Sequence, residues 1–508
     1  VSRRILSEKD GVFTARRSAN EKSSEFLASS DSWFRPVMIR TGPDGALWVA
    51  DMYRFVIEHP EWIPPAWQNK LNLQAGNKMG RIYRIIRDEN TACCGIVNEA
   101  SSKSSVSGHT LRDWLANDWD ETPPAELMNR LSSFNGWWRD TAQRVLAHRA
   151  DEDFQLEKLK KLVLNSPNPA TRLQSLCTLS ACEKRTDFQV TAAAIADSHP
   201  AVRRHAARLF AASAEPRQGK DIAMSWRKTL KSCLALIDDP DHSVRMQFAY
   251  SARHFDSSGR AAAPILERSN DKVLVAAVIS SLDESNIEAV LRKLTIDDPT
   301  PNRKIVRKLI GLAAAFGRFD VVADQVQREF DQIDIENWSD SIEPFTELIA
   351  EIRKHDDAWE KLKQLKLSDK RRMPIGAFTG YFGPNVFRLA SDGKQSDSKR
   401  VLAIRYLALS EMLTRERATA LTTELNAQNS PKIQTAIVEA LGQSRDSQIP
   451  SLLLSRWAVL TPSIREQIVD TLLRRSGWTS HLLDAIGVGE LANNQLDAAQ
   501  RERLVTHR

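Results

Sequence analysis

His199-Pro200-Ala201-Val202-Arg203-Arg204-His205-Ala206-Ala207-Arg208-Leu209-Phe210 is the stretch that decides the fold. Proline pushes its predecessor out of the helical conformation and itself suits a first helical turn, so His199-Pro200 closes one helix and opens the next. Beyond it, Val202, Ala206, Leu209 and Phe210 fall at i, i+4, i+7 and i+8, one face of a helix. The same grammar recurs in Asn135-Gly136-Trp137-Trp138-Arg139, in Asn168-Pro169-Ala170-Thr171-Arg172 and in Asp239-Pro240-Asp241-His242-Ser243-Val244-Arg245. The closing arginines Arg139, Arg172, Arg203 and Arg245 stand 33, 31 and 42 positions apart. Self-similarity at a period of roughly 20–50 residues marks stacked repeats that bury their apolar faces on one another.

Trp138, Ala142, Val145 and Leu146 keep the same frame, as do Val244, Phe248 and Ala252. Small residues such as Ala206, Ala207, Ala249 and Ala252 allow helices of neighbouring repeats to approach closely. Lys272–Ser281 and Ile305–Ala315 read as buried helices. Near the end, Pro431 and Pro462 again sit at helix starts, followed by the stripes Ile433, Ile437, Leu441 and Ile464, Ile468, Leu472, Leu473. The pattern resembles HEAT repeats. The expected fold is mostly α: an α-solenoid of HEAT-like repeats with a small N-terminal antiparallel β segment, against the alternative of an irregular all-α domain. The four arginines are expected in equivalent places, bonded to acids or to helix-end carbonyls of adjacent repeats.

A chain of 508 residues exceeds one compact core, a limit that a solenoid escapes because each repeat contacts only its neighbours. No run of about 18 apolar residues is present to span a membrane. The start lacks a signal-peptide pattern, and Val1 opens in patterned sequence, which sets the expectation of a missing N-terminal part. The net charge is +6, with 71 basic and 65 acidic residues interleaved, so the charge pattern argues against a nucleic-acid footprint. Five cysteines show no metal or disulfide spacing. Cys177, Cys182 and Cys233 read as small core residues, and Cys93-Cys94 as part of a linker. The chain has no Cys-x-x-Cys-His and hence no covalent haem attachment site of its own.

The first ninety residues differ in kind. Arg3–Ser7 and Val12–Arg17 flank an Asp10-Gly11 hairpin signal. Trp33–Arg40 runs into the turn Gly42-Pro43-Asp44-Gly45, then Ala46–Asp51, and Gly80–Arg87 is a further strand. Four or five strands approach one propeller blade, whereas closure needs typically four to eight blades. Between the strands, residues 51–68 are dense in Trp, Pro, acid and His. In the functional reading Asp51, Tyr53, Arg54, Glu58 and His59 line the mouth of a pocket, where carboxylate and imidazole do acid–base work or bind a metal and Arg54 holds an anion. In the structural reading Asp51 caps a turn, Arg54 pairs with Glu58 or Glu61, and the tryptophans glue the sheet to the first helices.

The runs WFRPVMIRTGPDGALWVADMYRFVIEHPEWIPP (33–65) and GNKMGRIYRI (76–85) resemble the end of the sugar-dehydrogenase-like β-propeller of planctomycete-type membrane-bound dehydrogenases, also described as haem-binding C-x-x-C-H proteins. NGWWRDTAQRVLAHR (135–149) is similar to their propeller–HEAT junction, and LLDAIGVGELANNQLDAAQRERLVTHR (482–508) to the stretch before their cytochrome c domain. The resemblance divides the chain into a propeller remnant at 1–90, a linker at 91–120, HEAT-like repeats at 121–290, a less regular helical segment at 291–400 and HEAT-like repeats at 401–508. It implies a periplasmic protein that oxidises a sugar or related alcohol and passes electrons to c-type haem, with a quinone and calcium among the cofactors of the parts upstream. This chain is then its non-catalytic scaffold, with no cofactor of its own, a protein partner on the solenoid face and catalytic residues elsewhere. A free-standing HEAT protein-binding module and a nucleic-acid-binding solenoid are the alternatives.

Overall fold

A computed structural model describes residues 1–9, 11–86, 118–119, 121–149, 153–182, 187–213, 220–255, 259–296, 303–331, 338–355, 357–365, 375–492 and 495–506. The linker, with Cys93 and Cys94, lies almost wholly outside them. The chain divides into two units, residues 1–257 with 264–281 and residues 258–263 with 282–508. The protein is mostly helical, an α-solenoid with a small N-terminal β segment.

In the first unit, β1 (Arg4–Lys9) and β2 (Val12–Arg17) form an antiparallel hairpin. Strands β3 (Pro36–Thr41), β4 (Leu47–Asp51) and β5 (Arg81–Ile85) form a separate three-stranded antiparallel sheet in the order β3-β4-β5. The five strands therefore do not join into one blade. The hairpin instead leans on a repeat helix: Ser243 donates to Glu8, and a Cβ at Gly11, whose φ is +75°, would collide with the His242 ring. After the short helix α1 (Pro65–Gln68) come α2 (Pro124–Arg130), α3 (Gly136–His148), α4 (Asp153–Asn165), α5 (Pro169–Cys182), α6 (Phe188–Ile195), α7 (Pro200–Ala212), α8 (Lys220–Leu234), α9 (His242–Phe255), α10 (Ala263–Arg268) and α11 (Lys272–Ser280).

These helices pack in two layers. Helices α3, α5, α7, α9 and α11 each touch the next in that order, and α2, α4, α6 and α8 do the same behind them. Proline occupies the first turn of α5 and α7. Side-chain caps complete several starts: Asn135 accepts from the Trp137 amide, and Asp187 and Asp271 each accept from two amides of their helices. Val202, Ala206 and Phe210 are buried as their spacing requires, and Phe255 stacks on both Phe210 and Phe248. Cys182 and Cys233 are buried, and Cys177 is half-buried.

The second unit holds α12 (Ile287–Ile296), α13 (Arg303–Ala315), α14 (Phe319–Asp331), α15 (Trp338–Ile352), α16 (Ala358–Gln364), α17 (Ile375–Tyr381), α18 (Gly383–Ser391), α19 (Asp397–Leu409), α20 (Arg415–Thr423), α21 (Pro431–Gln443), α22 (Ile449–Leu454), α23 (Pro462–Leu472), α24 (Ser476–Gly487) and α25 (Ala498–Thr506). One layer runs α13, α15, α19, α21, α23, and the other includes α20, α22, α24. Among the described residues the alternation breaks where α16, α17 and α18 intervene between α15 and α19. Among the described residues no helix is long and apolar enough to cross a membrane.

Candidate functional site

The repeat arginines share one geometry. Each sits near the start of its helix and donates through Nη1 to the carbonyls six and five residues before it. Arg139 reaches Ser133 and Phe134, Arg172 reaches Ser166 and Pro167, Arg203 reaches Asp197 and Ser198, and Arg245 reaches Asp239 and Pro240. Two of them also bridge to the next repeat. Arg172 holds Asp197 through Nε and Nη2, both at 2.7 Å, and Arg203 holds Asp239 at 2.7 and 2.9 Å. Burial pushes the Asp197 carboxyl up, but Arg172 and the His199 amide outweigh it and hold it below the usual aspartate range. Asp197 and Asp239, six residues before Arg203 and Arg245, thus each do two jobs, the carbonyl serving its own repeat and the carboxylate the preceding one. Arg139 lacks such a bridge because the matching position is Ser166. The arginines were visible in the sequence, but the acid at that offset was not singled out.

In the second unit a different device appears. Arg400, only 4% exposed, donates to the Ala390 carbonyl, to Asn429 and to Glu424. Arg400 takes the fourth position after its helix cap Ser396, as Arg203 does after His199, but it was not singled out among the repeat arginines.

The β module is fixed to the helices through its Gly42-Pro43-Asp44-Gly45 turn. Asn135 Nδ2 donates to the carbonyls of Gly42 and Pro43, and Trp138 Nε1 donates to Pro43 at 2.7 Å. Trp119 and Trp137 surround Trp138, and the Arg130 guanidinium lies 4.8 Å from the Trp119 and Trp138 ring centroids. Inside the turn, Asp44 accepts from Trp48 Nε1, the Ala46 amide and Arg84. Burial raises its carboxyl and these three partners bring it below the ordinary range. Among the described residues the glue between sheet and helices is thus Trp138 with Asn135 rather than the tryptophans of residues 51–68.

Within that stretch the five candidate residues part company. Asp51 is 3% exposed, and its Oδ1 accepts from the amides of Arg35 (2.7 Å) and Tyr53 (2.9 Å), which matches the turn-capping reading. Its buried Oδ2 has no partner among the described residues. Tyr53 takes a left-handed backbone (φ 51°), and its ring contacts Trp33 and lies under Arg81, whose Cζ is 4.0 Å from the ring centroid. Arg54 donates to the Gln74 carbonyl and pairs with neither Glu58 nor Glu61. Gly76 (φ +88°) packs so closely on the Tyr53 carbonyl that a Cβ has no room. Residues 53–76 are therefore a loop pinned at its neck.

Glu58 and His59 lie out on this loop, exposed, with His59 beside Glu61 and Trp62. Asp51 is buried at the end of β4, so the structure does not gather Asp51, Glu58 and His59 into one acid–base pair or metal cage. Among the described residues no three His, Cys, Asp or Glu side chains could hold a metal ion together. For calcium, the orphaned Asp51 oxygen belongs to no group of three acidic, histidine or cysteine side chains among the described residues. For haem, the chain lacks the attachment motif. The described residues do not fit these groups.

What the loop does build is an open groove of about 450 Å³, lined by Phe55, Glu58, Trp62, Ile63, Trp67 and Leu71 among others. Ile63 is its buried floor, while Trp62, Trp67 and Phe55 are 81%, 58% and 48% exposed. A second exposed apolar feature lies on the sheet. Met38, Ala50 and Ile82 form one cross-strand row on a single face, with Met38 51% and Ile82 71% exposed.

A family model for a domain of unknown function, DUF7133, matches residues 1–89. No curated protein matches the chain. Among solved structures, an engineered protein is 12% identical with a TM-score of 0.26, the match covering 75% of this chain and 98% of that one. The β module and its neck loop are thus the part of the chain similar to a sequence family.

Proposed function

We propose that this chain is a docking scaffold. Its helical repeats hold the β module rigidly and offer the module's uncovered apolar face to a protein partner. The observation that carries this reading is the pairing of a locked turn with an open face: Pro43 is fastened by Trp138 and Asn135, while the row Met38–Ala50–Ile82 on the same sheet stays in solvent. Exposed apolar side chains on a fixed surface mark interaction sites. Strands β3 and β5 each pair on one side alone among the described residues, which suits addition of a strand from a partner.

The resemblance of the β module supplies the setting: an exported dehydrogenase that oxidises a sugar or alcohol and delivers electrons to c-type haem, with chemistry on the partner. The engagement of Arg172 and Arg203 with aspartates supports a protein over a nucleic acid as the ligand of the repeats, because these guanidiniums are already neutralised.

The test combines the purified chain with a separately expressed sugar-dehydrogenase-like propeller. The expected result is micromolar association by calorimetry that Ile82→Lys weakens at least tenfold, and no turnover of sugars by the chain alone with an artificial electron acceptor. Turnover by the chain alone, or association indifferent to Ile82→Lys and Met38→Lys, overturns the reading.

A further inference from the structure

From the groove on the pinned loop we infer a binding site for the side chain of an arginine or lysine set in an otherwise apolar peptide segment of a partner protein. The site is distinct from the sheet face and stands whether or not that face docks a partner.

Two observations point to a cation, and a third to a held shape. First, the walls are aromatic. Trp62, Trp67 and Phe55 line it, and aromatic rings attract cations over their faces at centroid distances within about 6 Å. Lys70 already makes such a contact inside the chain, its Nζ 5.6 Å from the Trp67 ring centroid. Second, the one acidic side chain lining the groove, Glu58, has no cationic partner among the described residues. It accepts only the neighbouring Ile57 amide, at 3.2 Å. Third, the neck of the loop is held in a fixed shape, with strain at Tyr53. Tyr53 and Gly76 both take positive φ at the neck, and Arg54 ties the neck to Gln74. A non-glycine residue in that region is strained and persists where the surroundings over-determine it.

The same lining argues against a carbohydrate. A sugar carries a hydroxyl on nearly every carbon and needs a matching set of donors and acceptors, whereas the other lining residues are Val56, Ile63, Pro64 and Leu71 with the three aromatics. An apolar body with one charged end matches that inventory: Ile63 and Leu71 receive the neighbouring side chains, the rings receive the stem and the π-facing cation, and Glu58 receives the guanidinium hydrogens.

The test titrates the chain's tryptophan fluorescence with a blocked tetrapeptide containing one arginine among leucine and proline, and with its citrulline counterpart, which keeps the shape and loses the charge. The expected result is saturable binding of the arginine peptide, at least tenfold tighter than the citrulline peptide. Glu58→Gln should erase that difference while leaving the citrulline affinity unchanged. Trp62→Ala should weaken both peptides, with far-ultraviolet circular dichroism unchanged. Equal affinity for the two peptides, no saturation by millimolar peptide, or preferential binding of a cello-oligosaccharide overturns the proposal. Ile82→Lys leaves the groove untouched, so that variant separates failure at the groove from failure of the sheet face.

Discussion

The indole N–H of Trp138 ends on the carbonyl oxygen of Pro43, 95 residues earlier in the chain, at 2.7 Å and out of solvent. A helix start in the first repeat and a turn in the sheet therefore form one joint. Asn135 strengthens it with two more bonds from its Nδ2, while its Oδ1 caps the same helix.

Replacing Trp138 with Phe removes the donor together with part of the buried indole. The expected loss is at least about 1 kcal/mol of unfolding free energy, the usual net value of one such bond, with the void adding to it. Amide exchange in residues 36–51 should accelerate with it. Asn135→Ala should cost more, because it removes the helix cap together with both bonds to the turn. Urea midpoints and hydrogen exchange on the two variants check the order.

Gly76→Ala should destabilise the β module by at least about 1 kcal/mol, since its backbone lies in the left-handed region and its Cβ would meet the Tyr53 carbonyl. Limited proteolysis within 53–76 is the readout, and the variant should be cut sooner. Gly393→Ala, a position with open space around it, is the matched control.

The Arg172–Asp197 pair makes a pH prediction. Asp197 titrates below the ordinary aspartate range in the folded protein, so it binds its proton more readily when unfolded. The stability this supplies is complete above about pH 5 and is lost as pH falls through the folded value. Arg172→Gln should therefore be clearly less stable than the parent at pH 7, and the gap in urea midpoint should close towards pH 3. A gap that stays constant with pH contradicts the assignment.

The repeats were legible because proline and the helical period act locally. Pro169, Pro200, Pro431 and Pro462 each lie in the first turn of the helix they were expected to open. The strands were legible for the same reason, through the glycine turns at Gly11 and Gly45, both with positive φ. What stayed hidden depends on residues far apart. The hairpin stands apart from the main sheet with Gly11 fitted against His242, and no local pattern announces a contact across that distance. Trp138 read as an apolar stripe residue and proves also to be a donor to Pro43. Residues 51–68 drew attention through composition, yet composition assigns no direction to a side chain. Asp51 turned inward to brace the chain, and Glu58 stayed out on the groove.

The association of neighbouring repeats through an arginine and the aspartate of the next repeat is tested most directly by a double-mutant cycle on Arg203 and Asp239. Arg203→Ala alone should cost about 1.5–3 kcal/mol, the range for hydrogen bonds to charged groups. The predicted coupling between Arg203→Ala and Asp239→Ala is about 1.5 kcal/mol or more, because the pair is bidentate and both side chains are largely withdrawn from water. Two substitutions whose effects simply add, to within about 0.5 kcal/mol, would contradict it.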